Sequence, residues 1–145
     1  MNMDRKAWRE RWLDGITEIS ALDWQRRYWG KVNNPHYGFV ECVVCYFDDC
    51  LHGGGYEKLV TAGMLSFDEA FAVAEMHLKL DAYLKQVNLR ATKDRNALYD
   101  HQAILSDSAW IEVTEAARRA RRRLLKLIKE PRERELLLHA EPDHP

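Results

Sequence analysis

Apolar residues recur every three or four positions along most of this chain, which places them on one face of an α-helix. The clearest run extends from about Asp107 or Ser108 to residue 129. Its apolar positions are Trp110, Val113, Ala117, Ala120, Leu124 and Leu127. The spacing predicts a long helix, and the alanines in the middle of this seam allow another helix to cross closely.

A second long helix is predicted from residue 67 to about residue 87. It starts at Ser66, which is followed three residues later by Glu69, a pattern in which each side chain bonds the other residue's backbone amide. The predicted apolar side also carries His77 and Asp81, four residues apart. The remaining positions on that side are Ala70, Phe71, Ala74, Leu78 and Leu84.

Shorter helices are predicted at both ends of the chain. Helical spacing of Trp8, Trp12 and Ile16 predicts a first helix that stops near Asp14-Gly15, because glycine favours helix ends. A second short helix is predicted from a cap at Ser20 to Gly30. Residues 33–35 and 51–55 are predicted turns, and Pro131 fits the first turn of a last helix that carries Leu136 to Leu138.

Residues 39–50 are rich in valine, tyrosine and phenylalanine, which favour a β-strand. The sequence offers no second strand to pair with this one, and an isolated strand is unstable. We therefore predict a helix here.

These elements predict an all-α fold, a compact bundle of five or six helices in a single domain. A chain of 145 residues, 46% of them hydrophobic, is long enough to bury a core without disulfides or metals. We expect a helical domain over residues 1–130, followed by a short C-terminal helix and a frayed tail over residues 131–145.

Charge is unevenly distributed although the net charge is −1. Residues 1–40 carry seven basic and five acidic residues, residues 41–115 carry six and thirteen, and residues 116–145 carry nine and five. The middle segment is therefore net −7. The N-terminal segment is charged and lacks an apolar run, so we expect no secretory signal, no membrane anchor and a cytoplasmic location. Three cysteines, an odd number, agree with a reducing compartment.

All three cysteines lie in the stretch ECVVCYFDDCLH, residues 41–52. Cys42, Cys45, Cys50 and His52 are four ligand types that zinc accepts. The residues between them are bulky and supply no turn, whereas structural zinc sites usually take a second ligand pair from a distant element. A redox role for Cys42-x-x-Cys45 lacks the α/β context of such motifs. We therefore expect this segment to be buried core and expect no cofactor.

Catalytic motifs are missing from the sequence. His77 beside Asp81 has the composition of a general base held by a carboxylate, but no nucleophile is placed near it by the sequence. We expect a hydrogen-bonded polar pair in the core and no enzymatic activity.

The basic run in the long C-terminal helix is the strongest compositional anomaly. Helical projection directs Arg118, Arg119 and Arg122 to solvent, where they would neutralise nucleic-acid phosphates. Glu115 has the spacing to pair with Arg118 and Arg119, and the chain is slightly acidic, so a nucleic-acid-associated regulator is the alternative function. A homodimer joined along the apolar seam of the same helix is a further alternative.

Aromatic residues are numerous, and four tryptophans fall within the first thirty residues, where we expect some to remain exposed for recognition. The leading hypothesis is a small protein-binding module of the bacterial immunity or antitoxin kind, which occludes a basic toxin or nuclease. The candidate partner-binding residues are Asp48, Asp49, Glu57, Asp68 and Glu75 for steering and Tyr56 and Tyr99 as anchors.

Overall fold

Nine α-helices, one π-helical turn and one 3₁₀ turn form the part of the chain that the computed structural model describes, residues 4–31, 37–139 and 141–142. The α-helices are α1 (Arg5–Ser20), α2 (Leu22–Tyr28), α3 (Phe39–Val44), α4 (Tyr56–Thr61), α5 (Phe67–Ala72), α6 (Ala74–Ala91), α7 (His101–Ser106), α8 (Ser108–Leu127) and α9 (Pro131–Leu138). The π-helical turn, Cys45–Cys50, follows α3, and the 3₁₀ turn, Arg95–Tyr99, follows α6. The all-α prediction is confirmed, with more and shorter helices than expected.

Helix α8 lies at the centre of the fold, and α1 and α6 pack against it. It starts where the sequence predicts, because the Asp107 carboxylate accepts a hydrogen bond from the Ala109 amide at 3.0 Å. The predicted seam is buried from Trp110 to Leu124, whereas Leu127 is 41% exposed. Because α1 and α6 of the same molecule cover this part of the seam, it is not available as the dimer interface considered above.

Helix α1 continues through Gly15, so the prediction that it stops near Asp14-Gly15 is wrong. A glycine inside a helix costs only about 1 kcal/mol. The apolar residues around it, Leu13 and Ile16, are fully buried and outweigh that cost. A Cβ atom on Gly15 would meet no other atom within 4 Å, so nothing crowds this part of the helix.

The turn between α1 and α2 is held by Gln25 rather than by the predicted cap. Ser20 belongs to α1, and its hydroxyl donates to the Thr17 carbonyl at 2.7 Å. The Gln25 amide donates to the carbonyls of Glu18 and Ile19 at 2.7 and 3.1 Å, at the C-terminal end of α1, where the last carbonyls lack intrahelical partners of the usual spacing. The Gln25 carbonyl accepts from the Trp110 indole at 2.9 Å, which ties this turn to α8.

All five tryptophans are buried, so the expectation that some remain exposed for recognition is wrong. Trp8 and Trp12 stack with ring centroids 5.3 Å apart, and Trp29 packs beside Trp110 at 5.7 Å. Phe39 meets the Trp110 ring edge-on at 5.5 Å. The aromatic residues are numerous because they fill the spaces between short helices.

The helix predicted from residue 67 begins as expected but is interrupted. The Ser66 amide donates to the Glu69 carboxylate at 2.8 Å, and the Glu69 amide donates to the Ser66 hydroxyl at 3.1 Å, which confirms the capping box. Val73, with φ −101° and ψ 1°, separates α5 from α6. Phe71 and Leu78 were placed on the apolar side, yet they are 73% and 68% exposed.

The helical prediction for residues 39–50 is confirmed, and its second half is a π-helical turn. Residues 51–55 form the predicted turn, whereas the turn predicted at residues 33–35 lies outside the described residues. Pro131 opens α9 as predicted, and Leu136 and Leu137 are buried where α9 packs on α1, while Leu138 is exposed. Within the described ranges, every helix is too short or too polar to span a lipid bilayer.

A buried ion-pair network joins α1, α5 and α9. The Arg9 guanidinium donates to Glu69 at 2.5 and 3.0 Å and to Glu133 at 2.9 and 3.0 Å, and all three side chains are less than a tenth exposed. Burial raises the pKa of Glu69, but hydrogen bonds from Arg9 and Ser66 outweigh it and hold that pKa below its usual range. The Arg9 guanidinium therefore forms an ion pair with each of the two buried carboxylates in the folded state.

We expect Arg9→Ala to lower the free energy of unfolding by about 3–5 kcal/mol, because it leaves two buried carboxylates without a cation. Chemical denaturation of the variant and the parent protein measures this loss. Lys85→Ala is the matched control: it breaks the exposed pair between Lys85 and Asp81 and should cost at most about 1 kcal/mol. Equal losses in the two variants would contradict a structural role for the network.

Candidate functional site

Helix α3 and the π-helical turn that follows it, residues 39–50, are together called the α3–π segment. An open cleft of about 500 Å³ lies between α1, this segment and α9. Five carboxylates and two guanidiniums line it, a formal excess of three negative charges. The lining residues are Glu10, Arg11, Asp14, Gly15, Glu18, Tyr37, Glu41, Cys45, Asp49, Arg132 and Leu136.

Two helical segments supply the acidic walls. Glu10, Asp14 and Glu18 are spaced by four residues, so they lie in one row along α1. Glu41 and Asp49 come from the start of α3 and from the π-helical turn. Gly15, where α1 was expected to end, lies on the α1 wall of the cleft. Because it has no side chain, it leaves space there.

Hydrogen bonds fix three of these carboxylates. Glu18 accepts from the Tyr37 hydroxyl at 3.3 Å, and Glu41 accepts from the Gly38 amide at 2.6 Å. Glu10 pairs with Arg132 at 3.4 Å. Burial, with Glu18 next to it, raises the pKa of Tyr37, so this phenol stays protonated and remains a donor.

Asp48 and Asp49 are the predicted steering residues that the structure places at the cleft. Asp49 lines it, and Asp48 precedes it on the same π-helical turn; both are exposed. Among the described residues neither forms an ion pair with a cation. Their charge is therefore available to a partner.

The other three predicted carboxylates lie elsewhere. Glu57 and Asp68 are exposed in the first turns of α4 and α5 and do not line the cleft. Glu75 is held by Arg119 at 3.0 and 3.1 Å, and the Arg119 hydrogen bond lowers the pKa of Glu75. The steering set predicted from the sequence is thus not one surface.

The sequence prediction omits the α1 wall of the cleft, because the net positive charge of residues 1–40 hides the acidic row within that segment. The four-residue spacing of Glu10, Asp14 and Glu18 is visible in the sequence and was the available signal. Their meeting with Glu41 and Asp49 depends on the packing of α1 beside α3, which no local pattern encodes.

The two predicted tyrosine anchors differ in their surroundings. The Tyr56 hydroxyl accepts from the Trp12 indole at 3.0 Å and bonds the Tyr46 hydroxyl at 2.8 Å, so its polar end is used inside the protein. Tyr99 ends the 3₁₀ turn and is 44% exposed. Neither tyrosine lines the cleft.

His77 takes part in the same interior chain. Its Nδ1 lies 2.9 Å from the Tyr46 hydroxyl, whereas Asp81 pairs with Lys85 at 2.9 Å. The expectation that His77 and Asp81 satisfy each other is therefore wrong. Burial lowers the pKa of His77 even though Asp81 opposes the effect.

The prediction that the cysteine segment is buried core holds for only part of it, because five of the twelve residues 41–52 are buried and four are exposed. Cys42, Tyr46 and Cys50 are buried, Cys45 lies at the cleft, and His52 is exposed with a left-handed φ of 53°. Within the part of the chain described here, no three His, Cys, Asp or Glu side chains converge as metal ligands.

The arginine run serves the fold to a large extent. Arg118 donates to the Ser20 carbonyl at 3.2 Å, and Arg119 is committed to Glu75. Arg121 donates to the backbone carbonyls of Leu137 and His139. Of the three arginines proposed for phosphate binding, Arg122 is exposed, whereas Arg118 and Arg119 are partly buried.

Comparison of the chain with protein-family models, with curated proteins and with solved structures finds no match. The cleft is therefore interpreted from its own chemistry. Carboxylate oxygens on two facing walls favour guanidinium and ammonium groups, which form the strong charge-assisted hydrogen bonds of proteins.

We expect the pKa of His77 in the folded protein to lie below that of the same residue in the urea-unfolded chain, because burial disfavours the imidazolium. NMR titration of its ring protons measures both values. The folded state then binds fewer protons, so His77 removes stability as the pH falls below about 6.5. A folded-state value above the unfolded one would mean that Asp81 dominates, as in a base held by a carboxylate.

Proposed function

We propose that this protein is a cytoplasmic binding module that occludes a basic partner protein, of the kind that bacterial immunity and antitoxin proteins represent. The observation that carries the proposal is the cleft between α1 and the α3–π segment, with its five carboxylates against two guanidiniums. A partner held there by its basic side chains is blocked by contact alone, without catalysis or a cofactor.

The two acidic walls suit the side chain of an arginine or a lysine. A cation that enters the cleft meets Glu10 and Asp14 on one wall and Asp49 on the other. The half-buried ring of Tyr37 adds an aromatic surface on which a guanidinium can stack. A charge excess of this kind raises the rate of association with a basic protein and makes that rate sensitive to salt.

A basic toxin or nuclease is the partner class that this charge fits best. Nucleases bind phosphates through lysine and arginine, and an acidic cleft competes for those same groups. The alternative role as a nucleic-acid-associated regulator has less support, because Arg118 and Arg119 are bound within the protein.

The first experiment is affinity capture of the tagged full chain from its native host, with and without nuclease treatment, followed by mass spectrometry. The proposal expects one stoichiometric basic protein that survives nuclease and arrests growth when it is produced alone. Association that disappears with nuclease would instead favour the arginine surface, and recovery of only a second copy of this chain would favour a homodimer.

We expect the double variant Asp48→Lys and Asp49→Lys to slow association with the captured partner by about tenfold or more at low salt, and to flatten the salt dependence of the rate. Stopped-flow or surface-based kinetics over a range of ionic strength measure both effects. Both aspartates are exposed and form no ion pair with any cation in the described ranges, so the fold should persist, which circular dichroism checks.

The matched control is Asp68→Lys with Glu57→Lys, which makes the same change in total charge outside the cleft. A control that slows association as much as the cleft variant would show that only net charge matters. Unchanged kinetics in the cleft variant would reject the cleft as the binding site.

A further inference from the structure

Two cysteines mark the two ends of the π-helical turn. In this wider turn the backbone hydrogen bond spans five residues, as between the Leu51 amide and the Tyr46 carbonyl at 3.2 Å. Residues five apart therefore come close along the helix. Cys45 and Cys50 are five apart, and their thiols are close enough to shift each other's pKa.

The two thiols differ in exposure. Cys45 is partly exposed on the wall of the cleft, whereas Cys50 is fully buried. The Cys50 carbonyl accepts a hydrogen bond from the Trp8 indole at 2.8 Å, which anchors this residue against α1. A reagent in solvent thus reaches Cys45 first, and Cys50 only by way of Cys45.

The surroundings favour the thiolate form of Cys45. Its interaction with the Cys50 thiol lowers the pKa of Cys45, and Arg11 contributes, although burial and Asp49 oppose the shift. The same interaction and burial raise the pKa of Cys50. The thiolate is the nucleophilic form of cysteine, so the exposed member of the pair is also the reactive one.

We propose that Cys45 and Cys50 form a peroxide-reactive dithiol that closes into a disulfide within the π-helical turn. The Cys45 thiolate attacks one oxygen of hydrogen peroxide, an S–O bond forms, the O–O bond breaks and hydroxide leaves. Cys50, on losing its proton, then attacks the Cys45 sulfur, the S–S bond forms and the S–O bond breaks, which releases a second hydroxide. With the two thiol protons, the products are one disulfide and two waters.

Closure draws the turn together. Side chains on neighbouring helical turns have Cβ atoms about 5–6 Å apart, and a disulfide needs about 3.5–4.5 Å. A disulfide formed against such a contraction is readily reduced again by thiols, which makes the modification reversible. It also removes the Cys45 thiolate from the cleft; any effect on partner binding rests on the proposed function, whereas the disulfide itself does not.

Peptide mapping of the full chain after peroxide treatment tests the proposal directly. Cleavage before Asp48 and Asp49 separates Cys42 and Cys45 from Cys50, so a disulfide to Cys50 keeps two fragments joined until a reductant is added. We expect joined fragments from the folded wild-type protein and equally from Cys42→Ser, the control that removes the third cysteine. With both results, the linked pair is Cys45 and Cys50.

Two further variants separate the roles of the thiols. Cys50→Ser should stop at a sulfenic acid on Cys45, which dimedone traps and mass spectrometry detects. Cys45→Ser should lose thiols about tenfold more slowly, since the two cysteines that remain, Cys42 and Cys50, are buried, where the thiolate is disfavoured and peroxide has little access.

Three outcomes would overturn the proposal. The first is that wild-type protein keeps all three thiols free although peroxide has oxidised a small thiol compound in the same solution. The second is separated fragments from Cys42→Ser, and the third is joined fragments from Cys45→Ser. The wild-type and Cys42→Ser results decide the matter even where a variant of the buried Cys50 fails to fold. Capture kinetics play no part in this test, so its failure and the failure of the proposed function are distinguishable.

Discussion

Three small side chains on α8 set the spacing of the whole fold. Ala116, Ala117 and Ala120 are fully buried where α1 and α6 pack against α8, and larger residues there would force these helices apart. With its apolar face packed on α8, α1 turns another side toward the cleft, the π-helical turn and α9. The row of carboxylates from Glu10 to Glu18 occupies that side, so core packing determines which way the cleft's charged wall faces.

Local sequence patterns predicted the parts of the fold that depend on local forces. The α8 seam, the start of α8 near Asp107 or Ser108, the Ser66–Glu69 capping box and the start of α9 at Pro131 all follow from helical spacing and from residues suited to helix N-termini. These signals involve residues within one or two helical turns. Tertiary contacts have little scope to change them.

The errors occurred where distant residues compete with a local preference. Burial of its neighbours keeps Gly15 inside α1. Ser20 does not cap α2, and Gln25 instead holds the turn by reaching two carbonyls at the end of α1 and the Trp110 indole. The π-helical turn has no periodic signature in the sequence. Of the residues that line the cleft, the sequence singled out only Asp49, for steering, and Cys45, as a metal-ligand candidate, since the cleft's walls come from segments whose proximity depends on packing.

The contacts of α1 also govern when it can become stable during synthesis. Arg9 and Glu133 are 124 residues apart, and Gln25 and Trp110 are 85 apart. At bacterial or eukaryotic elongation rates α9 is complete only roughly 6–25 s after α1, and α1 lacks its packing partner α8 for most of that time. The apolar face of α1 therefore stays uncovered there, and Arg9 lacks Glu133, until nearly the whole described chain has been translated.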